Sequence, residues 1–497
     1  MTAPARSFGE ENFGAAPLKN KTRTKRLVEL ADQILSHPGG TLPQKLGPDR
    51  LKVCYRLMAQ RPVTHAAALA THQGLTRQRM AAAQDDILLV QDNTGLDYSG
   101  LLSVEDLGQL GSGKNRGFLA HHCLAVAAKG RRVLGLLHQE LYRRPRVPKK
   151  ETREQCRQRQ DRESRLWQKA CLAAGPAPPG QRHIDVCDRG ADIFEFLEFE
   201  HRQNRKYVVR ACHDRAVSVT DLPTLEVLGL TQPYQGRLFA LGRSLPEWAR
   251  KELEVAARPG QSARTAVVRL ASAPVLLHAP QHPCGEHGQE PLELWLVYVG
   301  EINPPTGREP VEWLLLTNVP VHSVEDLLER VSWYEARWTV EEFHKSQKTG
   351  CDIEKLQLGK LNHDERGKPP RKNPLEPMIA VLSVVAVQLL IARQLAQDEA
   401  AAALPATEVF SAEEEEVLRG WRYPNRQEPL NMREFLLALG RLGGHLNRKS
   451  DGLPGWLTLW RGWEKLQLLV QGARIATRAG AARAPAPDSR TQHPDTS

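Results

Sequence analysis

Apolar residues in "NKTRTKRLVELADQIL" fall at Leu27, Leu30, Ala31, Ile34 and Leu35, the spacing of one helical face. "LKVCYRLMAQ" and "THAAALATHQ" continue the pattern on either side of Arg61-Pro62, so the chain opens with short, basic helices. The texture changes at "DDILLVQDNTGLDYSG". There an apolar run (87–90) leads to Asp92 and the turn-forming Asn93-Thr94-Gly95, which predicts a buried strand delivering an acid at its end. "FLAHHCLAVAA" and "RRVLGLLHQEL" predict two more strands with Lys129-Gly130 as the hairpin turn. A charged helical stretch over 150–173 stops at "GPAPPG". "HIDVCDRGADIFEFLEFE" then repeats the strand-then-acid arrangement, with Ile184, Val186 and Cys187 ahead of Asp188 and a helix from Ala191.

"KYVVRAC" predicts a strand ending in Arg210, and residues 215–300, rich in Pro and Gly without a helical period, a mainly β insertion. "LELWLVYVGEI" and "EWLLLTNVPV" are strands again. Ser323-x-x-Asp326 is a capping-box pattern opening a helix that carries "YEARWTVEEFHKSQK" (334–348). The apolar run "MIAVLSVVAVQLLIA" (378–392) is shorter than the ~20 residues that span a bilayer. It also contains Ser383 and Gln388, so it predicts a buried core helix. "DEAAAALPAT" through "AEEEEV" predicts a flexible connection or a poorly fixed helix, and the final twenty residues are disordered in composition.

Composition narrows the class. With 41% hydrophobic and 25% charged residues, the 497-residue chain is globular and long enough for several domains. Sixty-eight Lys and Arg against 58 Asp and Glu leave a net +10, which favours a polyanionic partner, nucleic acid ahead of membrane. Eight scattered cysteines without a C-x-x-C pair argue against a disulfide framework or zinc ribbon and for a reducing cytoplasm. "HPCGEH" (His282, Cys284, His287) reads as a loop because no second ligand cluster accompanies it. The N-terminal stretch has no apolar core of a signal peptide.

The chemistry concentrates in residues 334–348. On a helix turning about 100° per residue, Tyr334, Arg337, Glu341 and Lys348 fall within roughly a 60° arc and Glu342 lies off it. Alone, Glu341 and Lys345 could be an ordinary surface pair. Together with Asp92 and Asp188, Glu341 completes three carboxylates of the kind that Mg²⁺ requires. Such a site can clamp the attacking and leaving oxygens of a phosphodiester. Carboxylates by themselves repel DNA, so Arg337, Lys345, Lys348 and Arg210 are candidates to hold phosphates. A two-carboxylate glycosidase has no use for these cations.

These residues resemble the cut-and-paste transposases of the insertion-sequence-four family. Its signature is Tyr, two residues, Arg, three residues, Glu, six residues, Lys, matched by Tyr334, Arg337, Glu341 and Lys348. "LLVQDNTGLDY" matches around Asp92 and "VCDRGADI" around Asp188; the likeness covers nearly all but the last twenty residues. The resemblance implies an α/β fold. Its RNase H-like mixed sheet, over 76–396 with the β-rich insertion, would lie between an N-terminal helical DNA-end-binding domain (1–75) and a C-terminal helical dimerisation region (397–477), followed by a disordered tail (478–497).

The resemblance further implies that Asp92, Asp188 and Glu341 are catalytic and ligate two Mg²⁺, with Mn²⁺ able to substitute. Tyr334, Arg337 and Lys348 would touch phosphates, Arg210 would be a further DNA contact and Trp313 would stack on a flipped base. Lys19, Lys21, Arg23 and Lys25 would recognise the transposon end. The partners that the resemblance implies would be double-stranded DNA, both terminal repeats and target, and a second protomer, without a membrane. The reaction would run through end cleavage, a hairpin and strand transfer. The alternative is a catalytically silent regulator that binds transposon ends. Departures lie at 359–372 and around 400–416.

Overall fold

The computed structural model describes residues 7–36, 41–102, 104, 106–145, 150–255, 262–281, 286–358, 374–397, 401–448 and 451–483. The 359–372 stretch, His282, Cys284 and the tail beyond residue 483 lie outside them. The chain divides into two compact units, one from Met1–Asp32 and Thr41–Ile391, the other from Gln33–Gly40 and Ala392–Ser497.

The first unit is a mixed α/β structure built on one large mixed sheet flanked by helices. Its strands are β1 (Ile87–Asp97), β2 (Gly108–Gln109), β3 (Arg116–Ala127), β4 (Val133–Tyr142), β5 (His183–Cys187) and β6 (Lys206–Arg210). They are followed by β7 (Ala216–Val219), β8 (Tyr234–Arg237), β9 (Ala249–Val255), β10 (Arg264–Leu277), β11 (Leu292–Glu301) and β12 (Glu312–Thr317). The order across the sheet is β2-β3-β1-β5-β6-β12-β11-β10-β7-β8, with β4 on β3 and β9 on β10. β1, β5 and β6 are parallel and the other pairings antiparallel. Residues 87–91 and 183–187 are buried throughout, as parallel strands covered on both faces must be. The segment expected to be a mainly β insertion extends the same sheet beyond β12 and adds helices Leu222–Val227 and Leu238–Ser244.

Two expectations are corrected. β1 does not stop at Asp92: it runs to Asp97, and no turn forms at Asn93-Thr94-Gly95 because those residues pair with His121, Ala120 and Leu119 of β3. A long antiparallel ladder outweighs local turn preference. Nor is 323–348 one uniform helix. Ser323 and Asp326 do form the capping box of helix Val324–Glu335. The backbone then tightens, with Arg337 N–H donating to Tyr334 O and Val340 N–H to Arg337 O, before helix Trp338–Lys345. A wider π turn, Ser346–Gly350, follows. The ideal helical wheel therefore does not hold across the whole signature.

The Lys129-Gly130 turn is present, with Gly130 and Arg131 both at positive φ (72° and 53°). The N-terminal helices Phe8–Phe13, Lys21–Ser36, Leu42–Met58 and His65–Ala82 include a kink at Gly47 (φ 68°). Buried His72 ties helices to sheet, meeting Asn12 at 2.8 Å and accepting the Leu136 N–H at 3.0 Å. The apolar helix Leu375–Gln397 is longer than its sequence run suggested, and Leu375–Leu395 is long and apolar enough to cross a membrane. Between residues 375 and 387 every residue except Glu376 is buried in the protein, the core-helix arrangement expected. Each Val or Leu so enclosed is worth about 1.5–3 kcal/mol.

In the second unit, helices Ala412–Arg422, Met432–Leu442 and Trp456–Arg483 pack around Phe410, Phe435 and Trp463. Backbones come close at Gly443 and Gly462, where an added Cβ would lie 1.9 Å from Thr458 O and from Leu439 O respectively. Helix Trp456–Arg483 runs into the first residues of the segment expected to be disordered.

Candidate active site and nucleic-acid interface

The β1–β5 pairing ends at Gln91 opposite Cys187, so the next residues, Asp92 and Asp188, emerge side by side where β5 leaves the sheet and β1 continues with β3. Crevices beyond the carboxyl ends of parallel strands are the usual ligand sites of such sheets. Asp188 accepts the Gly190 N–H at 2.9 Å. Gly190 lies against buried Trp167, which would stand 2.8 Å from a Cβ there. Helix Trp338–Lys345 packs on β1 and brings in Glu341.

Arg337 joins the acids. Its guanidinium donates to Asp92 Oδ2 at 3.2 Å and to Glu341 Oε1 at 2.5 Å, with 12% of its side chain exposed. Burial pushes Asp92 up to about 7, with the charges of Asp188 and Glu341 adding to it and Arg337 and the Asn93 N–H opposing it. One guanidinium shared by Asp92 and Glu341, with Asp188 acting on Asp92, leaves an excess of negative charge in a partly desolvated place. That oxygen-donor set fits hard divalent cations.

Among the described residues, the groups whose ligand atoms all lie within 4.8 Å of one another are elsewhere, so the three acids form a more open set. Those tighter groups are already committed. In Cys171–Asp185–Glu200, Asp185 takes Arg205 and Gln91, each at 2.7 Å. In Asp192–Cys212–His213, Asp192 accepts two backbone N–H groups and the Arg215 guanidinium.

The remaining candidates divide. Tyr334, 3% exposed, meets the half-buried Trp313 ring edge-on at 5.1 Å. Arg210 donates to Glu312 O at 2.8 Å and its charge acts on Tyr334, over whose ring Arg337 lies at 5.9 Å, so Trp313, Tyr334, Arg210 and Arg337 form one cluster. Lys348 sits on the π turn, 3.5 Å from Glu354. Lys345 is not drawn to Glu341; it is exposed and pairs with Glu342 at 2.7 Å. Lys19, Lys21 and Lys25 are exposed, whereas Arg23 is a bracket donating to Leu18 O and Gln60.

Several residues escaped the sequence reading. His121 bridges Gln91 and Asn93, the neighbours of Asp92, at 3.1 and 2.7 Å. Behind the signature helix, His122 Nδ1 meets His344 Nε2 at 3.1 Å, and Gln139 and Gln347 both donate to Ser383. This network braces the π turn. Trp338, 42% exposed beneath Arg337, is the one with a readable signal, an aromatic beside a signature arginine.

Against known protein families, a family model described as transposase DNA-binding matches residues 5–63, the segment holding Lys19, Lys21, Arg23 and Lys25. The chain thus carries a transposase DNA-binding domain at its N-terminus, which points to a transposase that binds DNA.

Proposed function

We propose that the protein is a DDE transposase of the insertion-sequence-four kind, with an RNase H-like catalytic core, that cuts its element out of DNA and joins the 3′ ends elsewhere. The observation that carries this reading is that Asp92 and Glu341 share the Arg337 guanidinium while the charge of Asp188 acts on Asp92, in a chain with a transposase DNA-binding domain. Asp92, Asp188 and Glu341 would hold two Mg²⁺, Mn²⁺ being able to replace them; the bound metal supplies charge stabilisation and an acidified water or 3′-hydroxyl.

The protein's own groups do the positioning. Arg337 and Arg210 present bidentate donors to phosphate oxygens, and Lys348 adds a point charge. Trp313, already half-open and edge-on to Tyr334, offers a face to an extruded base, offsetting its lost stacking. Lys19, Lys21 and Lys25 are exposed, Lys25 at 3.9 Å from Glu29, and would meet the transposon end. End cleavage through a hairpin, and synapsis by a homodimer that uses helix Trp456–Arg483, complete the reading.

The test places the gene with its native flanking DNA on a plasmid and looks for an excised fragment with Mg²⁺ present. Excision by the wild type that disappears in Asp188→Ala is expected. Specific binding of the flanks without excision would instead identify the silent end-binding regulator.

A further inference from the structure

A second concavity is lined by none of the candidate catalytic or DNA-contacting residues placed so far. It measures about 1440 Å³ and lies between the β2–β3 loop, the end of β4 and the segment after Asp188. Small-molecule sites run to ~300–1,000 Å³, so this one is large for a metabolite and suits a polymer. Its lining carries Lys114, Arg116, Arg144, Arg159, Arg162 and Arg215 against Glu163, Asp192 and Glu195. Each acid is held by an arginine of the same wall: Arg144–Glu163 at 2.8 Å, Arg162–Glu195 at 2.8 Å and Arg215–Asp192 at 3.0 Å. Arg159 is held in turn by Glu151 and Asp161, at 3.1 and 3.3 Å, and Arg116 donates to Val104 O, so the exposed positive charge of this wall is that of Lys114.

The loop "GSGKNRG" forms one rim. Leu110 N–H to Asn115 O (2.8 Å) closes it, and Lys114 stands exposed at its tip. Gly111 needs its glycine for a φ of 60°. Gly113 does not: its φ is not positive and an added Cβ would meet nothing within 4 Å. Neither strain nor crowding accounts for it. A bare backbone beside a lysine does have a use where a phosphate must approach the amides closely.

Sheet order places this cavity. The acids sit at the β1–β5 junction. Arg210 and Trp313 lie toward β6 and β12, while the glycine rim lies toward β2 and β3, on the other side. Asp97 pairs with Gly117 and Gly117 with Gly108, so the rim stands five residues beyond Asp92 along β1. At ~3.3 Å per residue that is about 16 Å, or about five base pairs of duplex at ~3.4 Å each. Joining requires two DNAs at one set of carboxylates, hence two phosphate tracks.

We propose that this cavity holds the sugar–phosphate backbone of the second DNA, the duplex that receives the 3′ ends, with Lys114 and the Gly113 amide on its phosphates. The inference rests on the transposase reading above. In the step it serves, the 3′-hydroxyl oxygen of a cleaved end bonds to a phosphorus of the second DNA and that phosphorus loses its bond to O3′. The hydroxyl proton leaves to solvent and the departing O3′ takes one up; no oxidant, reductant or nucleotide is consumed.

The test compares full-length wild type, Lys114→Glu and Gly113→Val in three assays. These are cleavage at the native flanks, joining of pre-cut ends with free 3′-hydroxyls into a plasmid lacking those ends, and anisotropy of a short random-sequence duplex across salt concentrations. We expect cleavage close to wild type, joining down by about tenfold or more, and for Lys114→Glu a salt slope for the random duplex smaller by about 1. Unchanged joining overturns the proposal. So does an equal fall in cleavage and joining, which would assign the cavity to the element's own end. If the wild type neither cuts nor joins, the catalytic reading fails and the anisotropy arm decides: an unchanged affinity and slope in Lys114→Glu overturns the cavity's role, and the expected loss upholds a DNA groove there.

Discussion

Asp92 shows how one side chain is set by its surroundings. Burial and the facing Asp188 and Glu341 hold its pKa up to about 7, against an ordinary carboxylate near ~4. A metal ligand must be deprotonated, so if Asp92 holds Mg²⁺ as proposed, a proton competes with the metal for its oxygen below pH 7. We expect Mg²⁺ affinity, followed by calorimetry, to climb by up to about tenfold per pH unit from pH 5.5 to 7 and then level, with proton release on the rising limb. A flat profile over that range would remove Asp92 from the ligand set. The guanidinium of Arg337 opposes the shift, so Arg337→Ala should move the break to higher pH.

At the scale of elements, the sheet carries neutral imidazoles on both faces, His122 and His344 toward the signature helix and His121 and His138 toward helix Leu166–Ala174. Burial lowers His121 and His344 to about 3 and His138 to about 4; His122, between His344 and Gln139, also lies well below the ordinary range. For each of these groups the unfolded chain takes up a proton below about pH 6.5 and the folded one does not. Their contribution to stability is therefore complete above that pH and is lost as pH falls toward the folded values. Each contributes at most ~1.4 kcal/mol per pH unit. We expect the thermal unfolding midpoint to drop steeply between pH 6.5 and 5, and His122→Gln to make that drop shallower. An equally steep drop in that variant would show that these imidazoles are not what titrates.

At the scale of the whole molecule, the net +10 makes DNA binding salt-sensitive, but only some cations are available for it. Lys19, Lys21 and Lys25 are exposed in the DNA-binding segment, while Arg23 spends its donors on Leu18 and Gln60. Replacing the three lysines with Ala should lower the salt slope of end binding by up to about 3 and leave the unfolding midpoint in place. Arg23→Ala should do the reverse, costing about 0.5–1.5 kcal/mol of stability, because it leaves a part-buried backbone carbonyl and the part-buried Gln60 amide without their donor. Gel-shift titrations beside denaturant unfolding separate the two. Equal effects from both variants would mean that exposure does not sort these cations.

The sequence by itself determined the elements and the chemical cast. Periodicity marked the strands around Asp92 and Asp188, the capping box at Ser323, the buried helix over 378–392 and the spacing of Tyr334, Arg337, Glu341 and Lys348, because each rests on neighbours in the chain. Tertiary structure decided what those neighbours do not control. The ladder to β3 carried β1 past the turn residues after Asp92. Packing against Ser383 and His122 accompanied the π turn at Lys348. The same lysines and arginines were divided into free charges, such as Lys114, and internal brackets, such as Arg23 and Arg205. Long-range pairing and burial act between residues far apart in the chain, and no local pattern records which partner each will meet.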